Sequence, residues 1–505
     1  MKCNKASLFA ALAAVVSLTS CSGLPKGAGG GGGGGGSTAN VSFVLVADTP
    51  PANLGLISFK VIPTAITLTP SSGTATTFDI NSGNGYSFDL VRLQSDSGYL
   101  GTVPSVAAGT YTTVAVTFSS AEVAFYNGTG AAVTGLSQPC PSGNVCVVSF
   151  SGPFTSSITA SESISANTGL GIDINLANAI SVTGTSLSLN FTNTNVASVF
   201  ALPRDPNLAS GQLDLIEDFT GIATVSGSTV KITPAGAVNR PAISATTSST
   251  NYDADPTGAL CVAQTTLSGC FNTTNEAASM DAILNSDGTF SAQEIEPLLA
   301  SPVVDTVEGT VYSINSSTQF AIIATDIIPA ASGSLISSLG IGSPLTVNLG
   351  TSPIFWVDTK GLPVSGSGAI TNFQGGTDTT SIHLGQSVAV HVNAFTAANG
   401  TTAAIASKVD TVTLRWSRFI ATLGNNTNPL EFNISALPGY FNLSQTFIFD
   451  VQTYQGAAGA DGVTNLDYST NGLTANSPVG VRALFLENTA GTQDPAFFAA
   501  KVRQH

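Results

Sequence analysis

The stretch Val114-Ala-Val-Thr-Phe118 places large apolar side chains at every second position, with small or polar ones between them. A period of two puts the large residues on one face of an extended chain, the pattern of a half-buried β-strand. The same period recurs where Leu187, Leu189 and Phe191 alternate with Ser186, Ser188 and Asn190. Gly, Pro and Asn punctuate the chain at short intervals, as sandwiches and small barrels require. Helical candidates are short and few, near residues 334–339 and 292–299. The chain therefore reads as all-β.

The N-terminus reads as an address. Lys2 and Lys5 precede an apolar run, 8–18, too short to span a bilayer as a permanent helix, which marks residues 1–20 as a secretion signal. The run ends in Leu18-Thr-Ser-Cys21, which resembles the lipobox of bacterial lipoproteins. That resemblance implies cleavage before Cys21, a diacylglyceryl thioether and N-acylation (a palmitate-type modification) on it, and stable anchoring by several acyl chains. Ser22 rather than Asp follows the cysteine, so the family's sorting rule points to the outer membrane, with the body facing the periplasm or the exterior. Residues 21–40 then carry an unbroken run, Gly29 to Gly36, which packs no side chain and forms a flexible tether with a reach of about 25 Å.

Composition excludes some partners. The formal charge is −15, and loss of Lys2 and Lys5 with the signal makes it more negative, so phosphate backbones are repelled and nucleic acid is not an expected partner. With 43% hydrophobic residues the chain is not of disordered type, although only 9% are charged. Once Cys3 and Cys21 are set aside, Cys140/Cys146 and Cys261/Cys270 form two close pairs. Four cysteines allow three connectivities, and an oxidising exported setting favours two local disulfides.

Residues 41–205 open with Val41-Ser-Phe-Val-Leu-Val-Ala-Asp48-Thr-Pro50-Pro51 and include Ala108-Gly-Thr-Tyr-Thr-Thr-Val114 and Ile172-Asp-Ile-Asn-Leu-Ala-Asn-Ala-Ile-Ser-Val-Thr183. These resemble a family of bacterial lipoprotein domains of unknown function, which implies a transthyretin-like or immunoglobulin-like β-sandwich. Asp48 reads as a turn former before Thr-Pro.

The remainder repeats. Val388-Ala-Val-His-Val392, Asn399-Gly-Thr401 and Lys408-Val409 have counterparts in Val479-Gly-Val-Arg-Ala-Leu-Phe485, Ala490-Gly-Thr492 and Lys501-Val502, and Gly221-Ile-Ala-Thr-Val225 aligns with Gly309-Thr-Val-Tyr-Ser313. Three units are expected, at 211–300, 303–409 and 410–503. They resemble a second family of exported domains of unknown function made of small β-barrels. Arg415-Trp-Ser-Arg418 departs from the repeated opening.

The chemistry-bearing candidates are sparse. Asn285-Ser-Asp287-Gly288 reads as a hairpin turn. Framed as a calcium loop it offers Asn285, Asp287 and Glu294, but Ile283 fills the first ligand slot, where an oxygen is needed. No Gly-x-Ser-x-Gly or His-Glu-x-x-His occurs, and His383 and His391 read as strand histidines facing solvent. The carboxylate pairs Glu217/Asp218 and Glu294/Glu296 have the chemistry of a glycosidase, which needs two such groups about 5 to 10 Å apart, and equally the chemistry of a solvated surface. Trp356 and Trp416 read as packing residues. The expectation is a lipid-anchored envelope protein without catalytic residues, metal or cofactor, acting by binding, adhesion or structure, with a surface or periplasmic protein or polysaccharide as partner. The alternatives are a carbohydrate-active hydrolase and a calcium-stabilised adhesin.

Overall fold

The computed structural model describes residues 37–48, 54–94, 96–202, 215–234, 240–247, 251–252, 277–297, 304–330, 333–358, 373–400, 402–423, 431–435, 437–441, 449–453, 475–476, 478–486 and 496–504. The expected signal segment 1–20, Cys21, the glycine run Gly29 to Gly36, and Cys261 and Cys270 of the second expected disulfide lie outside them.

The first part of the chain forms two packed sheets. In one, strand Thr38–Asp48 runs parallel to Thr168–Asn175 and antiparallel to Gly98–Ala107, and Ala197–Ala201 lies beyond Thr168–Asn175. In the other, the order is Thr76–Asp79, Leu54–Pro70, Gly109–Asn127 and Val145–Ile164. Val114, Val116 and Phe118 are buried between the sheets while Thr113 and Thr117 are half-buried, so the period of two does place one face inward. Phe43, Phe59 and Phe125 join them in one core. Phe191, past the end of strand Ser186–Leu189, inserts its ring 5.0 Å from that of Phe118 and 5.5 Å from that of Phe154. Each fully buried ring of this kind contributes about 2 to 3 kcal/mol through the hydrophobic effect. Cys140 and Cys146 are bonded, their Cα atoms 5.9 Å apart. The Asn127 amide secures the same loop by donating to the Cys140 and Ala131 carbonyls at 2.9 and 2.8 Å. The bridge closes a short loop and adds roughly 2 kcal/mol by loss of unfolded-chain entropy.

The rest of the chain wires one five-stranded pattern three times. In the first occurrence the strands are Leu215–Ser226, Thr229–Thr233, Ile243–Thr246, Ala277–Leu284 and Phe290–Pro297; in the second, Thr306–Ser316, Gln319–Ile328, Pro344–Val357, Ser387–His391 and Ala404–Arg415. In the third they are Ser417–Leu423, Glu431–Ser435, Phe449–Thr453, Pro478–Leu486 and Ala496–Gln504. Each time the first strand pairs with the second and fourth, and the ring is closed by a parallel pairing of third with fifth. Closure matters because it removes the unpaired strand edges that an open sheet of this size would expose. The aligned segments of the sequence fall on equivalent strands: residues 388–391 and 479–485 on the two fourth strands, Lys408 and Lys501 on the two fifth strands.

Three expectations are corrected. Residues 292–297 are strand, paired antiparallel with Ala277–Leu284, and a register shift between Ala292 and Glu294 lets both Ala292 and Ile295 reach the first barrel's core; residues 298–299 of the expected helix lie outside the described residues. Residues 334–339 are bends and a turn, in which Ile336 and Leu339 enter the second barrel's core rather than line a helix. The boundary expected at 409/410 cuts a continuous strand, Ala404–Arg415, whose alternation carries on through buried Val412 and Leu414. Only Trp416 separates that strand from the next barrel's first, Ser417–Leu423.

Gly221 and Gly309 explain why the barrel openings align. A Cβ on either would lie well inside contact distance of a carbonyl oxygen on the neighbouring second strand, that of Thr233 or Ile323. Only glycine lets the first strand coil this tightly against the second. Gly309→Ala is expected to lower the unfolding free energy by about 1 to 3 kcal/mol, the range for forcing a methyl group into a filled site. Urea denaturation followed by tryptophan fluorescence checks this.

Candidate functional site: a buried charge junction

The sandwich and all three barrels meet at a cluster of arginines and carboxylates. The sandwich supplies Arg92, on the one-turn 3-10 helix Arg92–Gln94, and Asp96. The first barrel supplies Glu217 and Asp218 from an irregularity between Ile216 and Phe219 of its first strand, where Asp218 adopts a φ of 51°. A bulge of this kind aims consecutive side chains to the same side, which regular pleating forbids. From the second barrel come Glu308, Asp326, Asp358 and Arg415, and from the third Arg418 and Arg482.

Asp218 is the hub. Its Oδ2 lies 2.6 Å from Arg418 Nη2, 3.2 Å from Arg482 Nη2 and 3.6 Å from Arg92 Nη2, and its Oδ1 lies 3.1 Å from Arg415 Nη2. Around it, Glu217 Oε2 meets Arg482 Nε at 2.9 Å, and Glu308 reaches Arg415 Nε at 3.4 Å and Arg418 Nη1 at 3.5 Å. Asp326 joins Arg92 and Arg240, each at 3.2 Å, and Arg415 Nη1 also binds Asp358. Asp96 accepts the Glu217 backbone N–H at 2.8 Å and Arg92 Nε at 3.2 Å. The side chains of Arg482 and Glu217 are 0% exposed, so these are not surface ion pairs.

Electrostatics follows from the burial. Loss of water opposes the charge on Arg92, but Asp326, Glu308, Asp96 and Asp218 outweigh it and hold the guanidinium above its usual range. Arg415 is held up in the same way against burial, by Asp358, Asp218, Glu308 and Glu296. Asp96 moves upward, first through burial and then through the charge of Glu217. Nearby Asp89 is raised to about 6 by burial, although its Oδ1 accepts the Phe59 and Val91 N–H groups at 2.8 and 3.0 Å.

Within each barrel the arrangement is repulsive. Asp281 stands directly opposite Glu294 in the first, Glu308 opposite Asp326 in the second, and Arg418 opposite Arg482 in the third. Like charges facing each other across a ladder destabilise a sheet. Here the acids and bases of different units answer one another, and Trp416 lies under the Arg482 guanidinium at 5.1 Å.

The sequence candidates are thus distributed. Glu217 and Asp218 converge with other carboxylates, but on arginines, and the cavity beside Arg92, Asp96 and Glu217 holds about 20 Å³, room for about one water. Glu294 and Glu296 are buried on the first barrel's fifth strand rather than solvated. Asn285, Asp287 and Glu294 are not gathered as a calcium loop would gather them. Asp287 Oδ1 accepts the Thr289 N–H at 3.0 Å and its hydroxyl at 2.6 Å, Gly288 has a φ of 78°, and the turn is a hairpin. Glu294 lies four residues beyond Phe290, where that strand begins, about 13 Å along it. The hairpin tip instead docks on the sandwich, where Gly169 N–H donates to the Ser286 carbonyl at 3.0 Å and the Ser42 hydroxyl to that of Gly288 at 3.1 Å. His391 is half-buried rather than solvent-facing, with Nδ1 3.6 Å from Asp410, and burial lowers its pKa despite that carboxylate. His383 is half-buried beside Phe485 at 6.1 Å. Trp356 is half-buried, and Asp48 closes its strand opposite Asn175.

Reading the sequence misses Arg92, Glu308, Asp326 and Arg482. The available signal is a charge within an apolar strand, as in Val479-Gly-Val-Arg-Ala-Leu-Phe485, in a chain with only 15 Lys and Arg. No known family model matches the chain, and no curated protein matches it.

Asp218→Ala leaves four guanidinium groups facing a void. It is expected to cost about 3 to 5 kcal/mol, the range for removing one partner of a buried pair, read as a lowered denaturation midpoint. For Asp89 the folded pKa of about 6 lies above the unfolded value of 3.8. The folded state therefore holds the proton more tightly, and this group's contribution to stability falls as pH rises from about 4 to about 6. Asp89→Asn removes that slope. Between pH 4 and 7 the variant should gain on the wild type by up to about 3 kcal/mol in urea titrations.

Proposed function

We propose that this is a lipid-anchored envelope protein without catalytic activity, whose sandwich and barrels form one rigid body for binding or structural support. The observation that carries this reading is the use made of the carboxylates. The acids a hydrolase would need are engaged with guanidinium groups contributed by other units, beside space for about one water. A hydrolase acid also needs a substrate oxygen within hydrogen-bond reach. Among the described residues no helix is long and apolar enough to cross a membrane, so membrane attachment rests in this proposal on Cys21 and its acyl chains. The glycine tether lifts the body clear of the headgroups, and Ser22 favours the outer membrane. A periplasmic or surface protein, or a polysaccharide, is the partner this arrangement suits.

In cells labelled with a palmitate analogue, the wild type is expected to carry label and sediment with membranes. Cys21→Ser should carry none and move to the soluble fraction with an unchanged melting temperature. Retention of the variant in membranes would sink the anchor. Oligosaccharide hydrolysis abolished by Glu217→Gln, at unchanged melting temperature, would sink the non-catalytic reading.

A further inference from the structure

Between the sandwich and the first barrel lies a cleft of about 680 Å³, within the size range of small-molecule sites. The half-buried rings of Phe78 and Tyr86 line the sandwich side. Asn81 and Ser82 form the adjoining lip, with φ of 49° and 53°. Two successive non-glycine residues in the left-handed region are costly, and such strain collects at ligand clamps and switches. From the barrel side come Lys231, on the second strand, and Arg240. The protein is acidic overall, so two of its few cations on one cleft wall stand out against its general field.

The two cations differ in what they can do. Arg240 donates through Nη2 to Asp326 at 3.2 Å, so part of its planar fork is already committed and its charge is partly answered. Lys231 is exposed and has no ion-pair partner among the described residues. One free ammonium beside a partly neutralised guanidinium matches a single carboxylate better than the multiple charges of a phosphate chain, which would seek bidentate arginine contacts. The rings offer flat apolar faces, and Asn81, Ser82 and the carboxylate of Asp79 offer a mixed set of donors and acceptors. That combination suits a ring whose faces are C–H and whose rim is hydroxyl.

The geometry points to a binding site for an acidic saccharide in this cleft, with the sugar carboxylate on Lys231 and a pyranose face on Tyr86. The site lies apart from the charge junction and does not depend on the lipid anchor, so its failure would leave the proposed function standing.

The test is calorimetric titration of the purified full chain with tetragalacturonate, using cellotetraose as the neutral comparator of equal length and inorganic phosphate as competitor. One tetragalacturonate should bind per chain, about tenfold or more tighter than cellotetraose, and weaken with added salt. Lys231→Gln and Tyr86→Ala should each weaken it by about tenfold or more, while Tyr86→Phe, which keeps the ring, should not. Absence of tetragalacturonate binding, equal binding of cellotetraose, or displacement by equimolar phosphate overturns the assignment. So does an unchanged affinity in Lys231→Gln and Tyr86→Ala when their melting temperatures match the wild type.

Discussion

The architecture depends on one carboxylate. Asp218 draws a guanidinium from the sandwich, one from the second barrel and two from the third, and it can do so only because an irregular strand turns it and Glu217 inward together. Isolated buried charges are prohibitively costly, and paired ones roughly break even against an apolar core. The network is therefore better understood as a determinant of arrangement than as a store of stability. Any rotation of one barrel against its neighbours would strand a charge away from water.

The like-charge ladder pairs sharpen this point. Asp281 with Glu294, Glu308 with Asp326 and Arg418 with Arg482 each burden the barrel that contains them. Three repeats of one wiring would ordinarily behave as separable modules. Here Glu308 of the second barrel meets Arg418 of the third at 3.5 Å, and Glu217 of the first meets Arg482 of the third at 2.9 Å, so charges that burden one repeat are answered in part by another.

How much of this the sequence discloses follows from the range of the forces involved. Alternation at 114–118 and the turn at Asp287-Gly288 are local, and both are legible from neighbouring residues. The glycines at 221 and 309 align because a steric rule between adjacent strands repeats with the fold. The short helix expected at 292–299 fails because tertiary burial of Ala292 and Ile295 overrides a weak local preference. The limit at 416 is hidden because Arg415 and Arg418 answer to Asp218, about two hundred positions earlier, rather than to the repeat's own pattern. Glu217/Asp218 can be named as a pair from the sequence, but their partners cannot, since nothing local distinguishes a solvated acid from one awaiting an arginine.

The one-residue step at Trp416, with the order of charges along the chain, bears on how the body is built in time. A polypeptide emerges from its N-terminus, so Glu217, Asp218, Glu308 and Asp326 are all made before Arg415, Arg418 and Arg482. A chain two-thirds synthesised holds its acids with few of their partners and repels itself where it must later close. The final barrel then acts as a keystone: with no slack between it and its predecessor, it brings Arg418 and Arg482 to the centre beside Arg415, and the acids laid down earlier gain these three partners only when the last parts of the chain arrive.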